Sequence, residues 1–165
     1  MFEIKATLKY DPYHPDAIRK GQRSWWMKAD LPDSIRLYYA DWIRKETGLH
    51  LNRPMWGNHV TVIRGEQVKN VKAWKKYDGD AVLLRYSENI QMSDKYAWLP
   101  VESLDLEDIR VELGLYPQPR CPFHATIGNF KTTTPPIKKK VAFVTFPWES
   151  NNYLDFEPNE YTIKP

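Results

Sequence analysis

Several things are scarce in this chain of 165 residues. A single cysteine, Cys121, rules out an internal disulfide and points to a reducing compartment. No stretch approaches the roughly 18–20 apolar residues that a membrane-spanning helix requires, so no membrane partner is expected. The opening MFEIKATLKYDP carries charges where a secretory leader has its apolar region, so export is not expected and the cytoplasm is the expected location. Charge of one sign is also scarce. With 24 basic and 21 acidic residues the formal charge is +3, too weak a bias for a protein of duplex DNA, though compatible with an anionic ligand. There is no tandem repeat, and the longest biased segment is the polar, basic KTTTPPIKKK of residues 131–140.

Aromatic residues, in contrast, are plentiful. Seven Trp, ten Tyr and six Phe demand burial or a stacking partner, which excludes a disordered chain. The length fits one domain with a core of its own. Alternating or β-branched runs predict strands at 2–8 (FEIKATL), 24–29 (SWWMKA), 59–63 (HVTVI), 81–87 (AVLLRYS), 95–101 (KYAWLPV), 123–130 (FHATIGNF) and 141–146 (VAFVTF). Pro32, Asp33 and Ser34 open a predicted helix with Ile35, Tyr38, Tyr39, Trp42 and Ile43 on its inner side, stopped by Gly48. Ser103 caps a second, running to about Leu113, with Leu104, Ile109 and Leu113 inward. Strands mixed with two helices predict an α+β or α/β fold of two strand–helix–strand lobes.

Two segments resemble each other more than the rest of the chain does. His59-Val60-Thr61-Val62 and His124-Ala125-Thr126-Ile127 both read His-x-Thr followed by an aliphatic residue, each after a turn containing Pro or Gly. Side chains alternate along a strand, so each segment presents one imidazole and one hydroxyl on a shared face and sends its aliphatic residues to the other. Brought side by side, the four make a metal-independent phosphoester site. One histidine takes a proton from a hydroxyl or water, the other protonates the leaving oxygen, and the threonines donate to non-bridging phosphate oxygens. No third His, Cys pair or His-x-x-x-His spacing suggests zinc, and no cofactor is expected. His14 and His50 read as solvated, and Cys121 as an unreactive thiol.

Paired H-x-T-aliphatic motifs resemble those of the 2H phosphoesterases, the LigT-like superfamily. The similarity covers residues 24–130: WWMKADLPDSIRLYYADWIRKETG leading to GNHVTVIRGE, then KYAWLPVES, a helix and PFHATIGNF. It implies a bilobal fold with pseudo-twofold symmetry, and makes α+β the expected class. A first lobe core would span 24–75 and a second 76–130, with residues 1–23 as an extension and 131–165 as a further strand and tail. It also implies catalytic roles for His59, Thr61, His124 and Thr126. Family members open 2′,3′-cyclic phosphates or cleave 2′-5′ and 3′-5′ linkages. The compact, aromatic-rich form is similar to small phage-carried members that degrade cyclic oligonucleotide signals of bacterial immunity, which would place it in the host cytoplasm.

Around the motifs, Arg64 and Asn129 each stand five residues after their histidine, an offset at which several family members carry an Arg. Strict alternation turns that position away from the histidine, so a phosphate contact there needs a strand end or a bulge. Alternation in SWWMKA sends Trp25, Met27 and Ala29 to the core and presents Trp26 and Lys28 to a base and a phosphate. Trp148 is a candidate cover for a bound nucleobase, and Lys138, Lys139 and Lys140 form a basic linker face. The expected partner is a cyclic nucleotide or short oligonucleotide; the oligomeric state is left open. Two rivals stand beside this reading: an RNA-end 2′,3′-cyclic phosphodiesterase, and a module that sequesters nucleotides without turnover.

Overall fold

A computed structural model describes residues 1–12 and 25–130. His14, the linker of residues 131–140, the strand expected at 141–146, Trp148 and the tail lie outside the described residues. Those described form β1 (Phe2–Tyr10), β2 (Trp26–Asp30), α1 (Asp33–Thr47), β3 (His59–Arg64), β4 (Ala81–Tyr86), β5 (Gln91–Met92), β6 (Tyr96–Glu102), α2 (Leu104–Glu112) and β7 (His124–Asn129). The fold is α+β. All seven strands join one antiparallel sheet in the order β4-β1-β2-β3-β7-β6-β5, and β4 also pairs with β6, which closes six of them into a barrel. No helix among the described residues is long and apolar enough to cross a membrane.

Alternation gives this sheet one apolar and one polar side. Ala6, Leu8 and Tyr10 of β1, Met27 and Ala29 of β2, Val82 and Leu84 of β4, and Ala97, Leu99 and Val101 of β6 are all buried. Tyr39 and Ile43 of α1 and Leu106, Ile109 and Leu113 of α2 join the same core. Each fully buried Val, Leu, Ile or Met side chain among them contributes roughly 1.5–3 kcal/mol. Trp25, half-buried, packs against this core and meets Trp74 edge to face at 4.8 Å. The polar side carries Lys5, Thr7 and Lys9 of β1; the register sets Thr7 against Asp30 and Lys9 against Lys28.

Local signals account for the helix ends. Gly48 is left-handed at φ 74° and its N–H reaches the Arg44 carbonyl, ending α1. Ser103 accepts from the Leu106 N–H and donates to the Leu83 carbonyl at 2.7 Å, so one side chain starts α2 and ties it to β4. Two inward assignments are corrected. Leu104, the first residue of α2, is 77% exposed, because the chain enters the helix there and the buried stripe begins at Leu106. Tyr38 is 60% exposed; it meets Tyr39 edge to face and walls a cavity with Phe2, Tyr86 and Glu88.

Candidate active site

The two His-x-Thr strands are neighbours. β3 meets β7 at Val60↔Ala125, the middle residues of the two motifs. In an antiparallel pair, one step either way sets His59 across from Thr126 and Thr61 across from His124. The four side chains therefore leave one face as a square, with the histidines on a diagonal. Diagonal neighbours lie about 7–8 Å apart at their stems, which leaves room for a phosphate between the ring tips. Val60, Val62, Ala125 and Ile127 are buried on the other face.

Both imidazoles are held in the same way. His59 Nδ1 lies 3.0 Å from the carbonyl of Gly57, and His124 Nδ1 lies 2.8 Å from that of Pro122. A carbonyl only accepts, so Nδ1 carries the proton in each ring and Nε2 is the basic nitrogen. Burial holds both histidines below the ordinary value of 6.5. For His59 the carbonyl of Gly57 opposes this, Lys28 lowers it further, Asp30 raises it, and His124 lowers it. His59 thus feels the charge of the other ring. For His124 the opposing influence is the Pro122 carbonyl. The Cys121 sulfur lies 3.4 Å from His124 Nδ1, but burial pushes its thiol up to about 12, so it remains protonated.

Matched bulges bring the offset residues back to the motif face. Along β2 and β3, Lys28 pairs with Thr61 and Met27 with Ile63, so Val62 is an extra residue in β3. Both Val62 and Ile63 are consequently buried, and Arg64, opposite Trp26, returns to the face of His59 and Thr61. The second half repeats this. Trp98 pairs with Thr126 and Ala97 with Gly128, so Ile127 is extra, and Asn129, opposite Tyr96, shares the face of Thr126. Each bulge falls three residues after its histidine. The alternation rule alone places Arg64 and Asn129 on the wrong side.

The remaining expected contacts are placed on this face but differently engaged. Lys28 is only 8% exposed; its ammonium pairs with Asp30 at 2.7 Å and donates to the Trp56 carbonyl at 3.2 Å. It bears on His59 through its field, with two of its three N–H donors held by Asp30 and Trp56. Arg64 stacks on Trp26, its guanidinium 4.9 Å from the ring centre, and Trp56 meets the same ring edge-on at 4.3 Å. Trp26 therefore supports the arginine before it offers a face to a base. Asn129 is tied to Asn52, whose backbone it bonds in both directions and whose amide it accepts at 3.3 Å.

No family model, curated protein or solved structure matches this chain. The site therefore rests on its own geometry. Among the described residues, no three His, Cys, Asp or Glu side chains gather as a metal-binding group. The aromatic cavity beside Tyr38, about 340 Å³, contains none of the motif residues. Sequence reasoning missed Asp30, Asn52, Glu66 and Arg110. Arg110 had a readable trace: a charge standing in the buried stripe of Leu106, Ile109 and Leu113.

Proposed function

We propose that this protein is a metal-independent phosphodiesterase that cleaves 3′-5′ or 2′-5′ linkages of cyclic or short oligonucleotides by two-histidine acid–base catalysis. The observation that carries the reading is the diagonal His/Thr square, with both Nδ1 protons donated to carbonyls two residues back. It leaves two basic Nε2 atoms flanking one point. One Nε2 takes the proton of the ribose hydroxyl beside the scissile phosphate, the 2′-hydroxyl in a 3′-5′ linkage or the 3′-hydroxyl in a 2′-5′ linkage, and its oxygen attacks phosphorus; the leaving 5′-oxygen takes a proton from the other imidazolium. The product is a 2′,3′-cyclic phosphate, and water then opens it with the roles reversed. Thr61, Thr126 and Arg64 donate to the non-bridging oxygens, where charge builds up. An internal nucleophile also gains the advantage of proximity.

The matched registers and bulges on either side of Val60↔Ala125 support a pseudo-twofold arrangement of the 2H type. Cyclic signals of bacterial immunity are the natural first substrates for such an enzyme. A ribose cyclic dinucleotide should be cut, with activity persisting in chelator, and its all-deoxy analogue should be bound but left intact. Comparable cleavage of the deoxy analogue would replace the internal nucleophile with water. Cleavage of cyclic-phosphate-ended RNA alone would move the enzyme to RNA ends. Binding of all three without turnover would make the protein a sequestering module.

A further inference from the structure

We infer that Arg110, reaching from α2 to the backbone of β3, is a positioning residue that holds Arg64 on the catalytic face, with Glu66 fixing its guanidinium. This rests on the reading that Arg64 grips a phosphate. A bulge removes one residue from the ladder, and that residue's carbonyl still needs a donor. In β3 the residue is Val62. Arg110 Nη1 donates to the Val62 carbonyl at 2.6 Å. The arginine is fully buried, and every other arm is used: Nε donates to the Tyr116 carbonyl at 2.9 Å, and Nη1 and Nη2 fork onto Glu66 at 2.8 and 2.7 Å. A planar, permanently charged guanidinium fixes several acceptors at once, which a flexible ammonium does not.

The clamp grips Arg64 from both sides, at Val62 two residues before it and at Glu66 two residues after. Between them Gly65 turns the chain at φ +72° and bonds the Trp25 carbonyl at 2.9 Å. Were the bulge to relax into regular pairing, alternation would turn Arg64 toward the apolar side and away from His59. In the second half, the strand beyond the bulge is tied at Asn129 to Asn52, through a bridge and the Asn52 side-chain amide.

The test compares wild type, Arg64→Ala, Arg110→Lys, Glu66→Gln and the double variant Arg64→Ala/Arg110→Lys. Calorimetry measures binding of the all-deoxy cyclic dinucleotide, kinetics follow the ribose form, and circular dichroism checks folding. Arg110→Lys and Glu66→Gln are expected to weaken binding and raise KM about tenfold while kcat stays within about threefold, the signature of a lost binding contact. In the Arg64→Ala background, Arg110→Lys should add less than about twofold, since its effect passes through the arginine already removed. Glu66→Gln carries the test if Arg110→Lys does not fold. Unchanged KM in the folded single variants, full additivity in the double variant, or a wild type that binds no probe would overturn the positioning role. Binding with the expected dependence but no turnover would overturn the phosphodiesterase reading and leave the positioning role intact.

Discussion

The two halves of the site share a backbone plan and differ in the side chains hung on it. Each has a histidine bonded to the carbonyl two residues earlier, a threonine two residues later, and a bulge at the third residue. Opposite them, β2 presents Asp30, Lys28 and Trp26, whereas β6 presents Pro100, Trp98 and Tyr96. One half is charged, with Arg64 at its end; the other is aromatic and neutral, with Asn129 in the matching place. The proposed proton transfer would draw on the shared plan, because it needs two equivalent nitrogens aimed at one point. Orientation of the proposed substrate would draw on the difference. A phosphate-rich portion of the substrate suits the first half, where the cations lie, and a ring suits the second.

Breaking the shared part should have the largest effect. His59→Ala and His124→Ala should each cut kcat by about 10²–10⁴-fold, the usual contribution of one acid or base, with binding of the deoxy analogue retained. A single variant within about tenfold of wild type would show that the halves are not equivalent. The bulges allow a subtler break, because the residue after the extra one is Ile63 in the first half and Gly128 in the second. Ile63 is fully buried, so Ile63→Ala should cost about 2–5 kcal/mol in urea unfolding. At Gly128 a Cβ would stand 2.7 Å from both the Asn52 carbonyl oxygen and Leu51 Cβ. Gly128→Ala should therefore cost about 1–3 kcal/mol through overpacking. The same position in the plan rejects a loss in one half and a gain in the other.

The difference between the halves should appear in binding. Arg64→Ala removes a charged donor, worth about 1.5–3 kcal/mol, and Asn129→Ala a neutral one, worth about 0.5–1.5 kcal/mol. KM should therefore rise more for Arg64→Ala. Equal effects would mean that charge is not what distinguishes the first half.

Much of this was readable because period and caps are local. Alternation located six of the strands now described to within two residues, and Gly48 and Ser103 marked helix ends by chemistry that involves only neighbouring residues. The two-residue β5 carries too few positions for a period to register. Leu104 and Tyr38 were placed inward by spacing alone, which fixes a stripe only after the first turn and its packing partners are known. The bulges belong to register, a property of two strands together. Their only trace in the chain is a pair of consecutive inward residues, Val62-Ile63 and Ile127-Gly128. Closure of the sheet through β4 and β6 likewise depends on contacts distant in sequence. The histidine pair was legible because its chemistry recurs at a fixed spacing. Arg110 left only the trace of a charge in an apolar stripe, since its meaning lies in Val62 and Glu66, more than forty residues away.

Titration offers the finest separation of the halves. Burial holds both histidines below the ordinary value of 6.5, so at neutral pH both are mostly uncharged. The proposed catalysis needs one neutral and one protonated ring, a state most populated between the two apparent pKa values of a coupled pair. The pH–rate profile should be a bell centred on the acid side of 6.5, and an optimum above 7 would contradict the assignment. Stability follows the same sign. The unfolded chain binds these protons more readily than the native state, so the histidines' contribution is present above 6.5 and is lost as pH falls toward the native values. The halves then part at Lys28, which lowers His59 and has only Trp98 as its counterpart beside His124. Lys28→Met removes that positive field and releases Asp30 from its ion pair, and both changes favour a charged His59. An NMR titration should show the His59 resonance moving to higher pKa while His124 follows only weakly, through the field of its partner. Equal movement of both resonances would mean that the charge on β2 is felt by the whole site, and the division into a charged and a neutral half would lose its electrostatic basis.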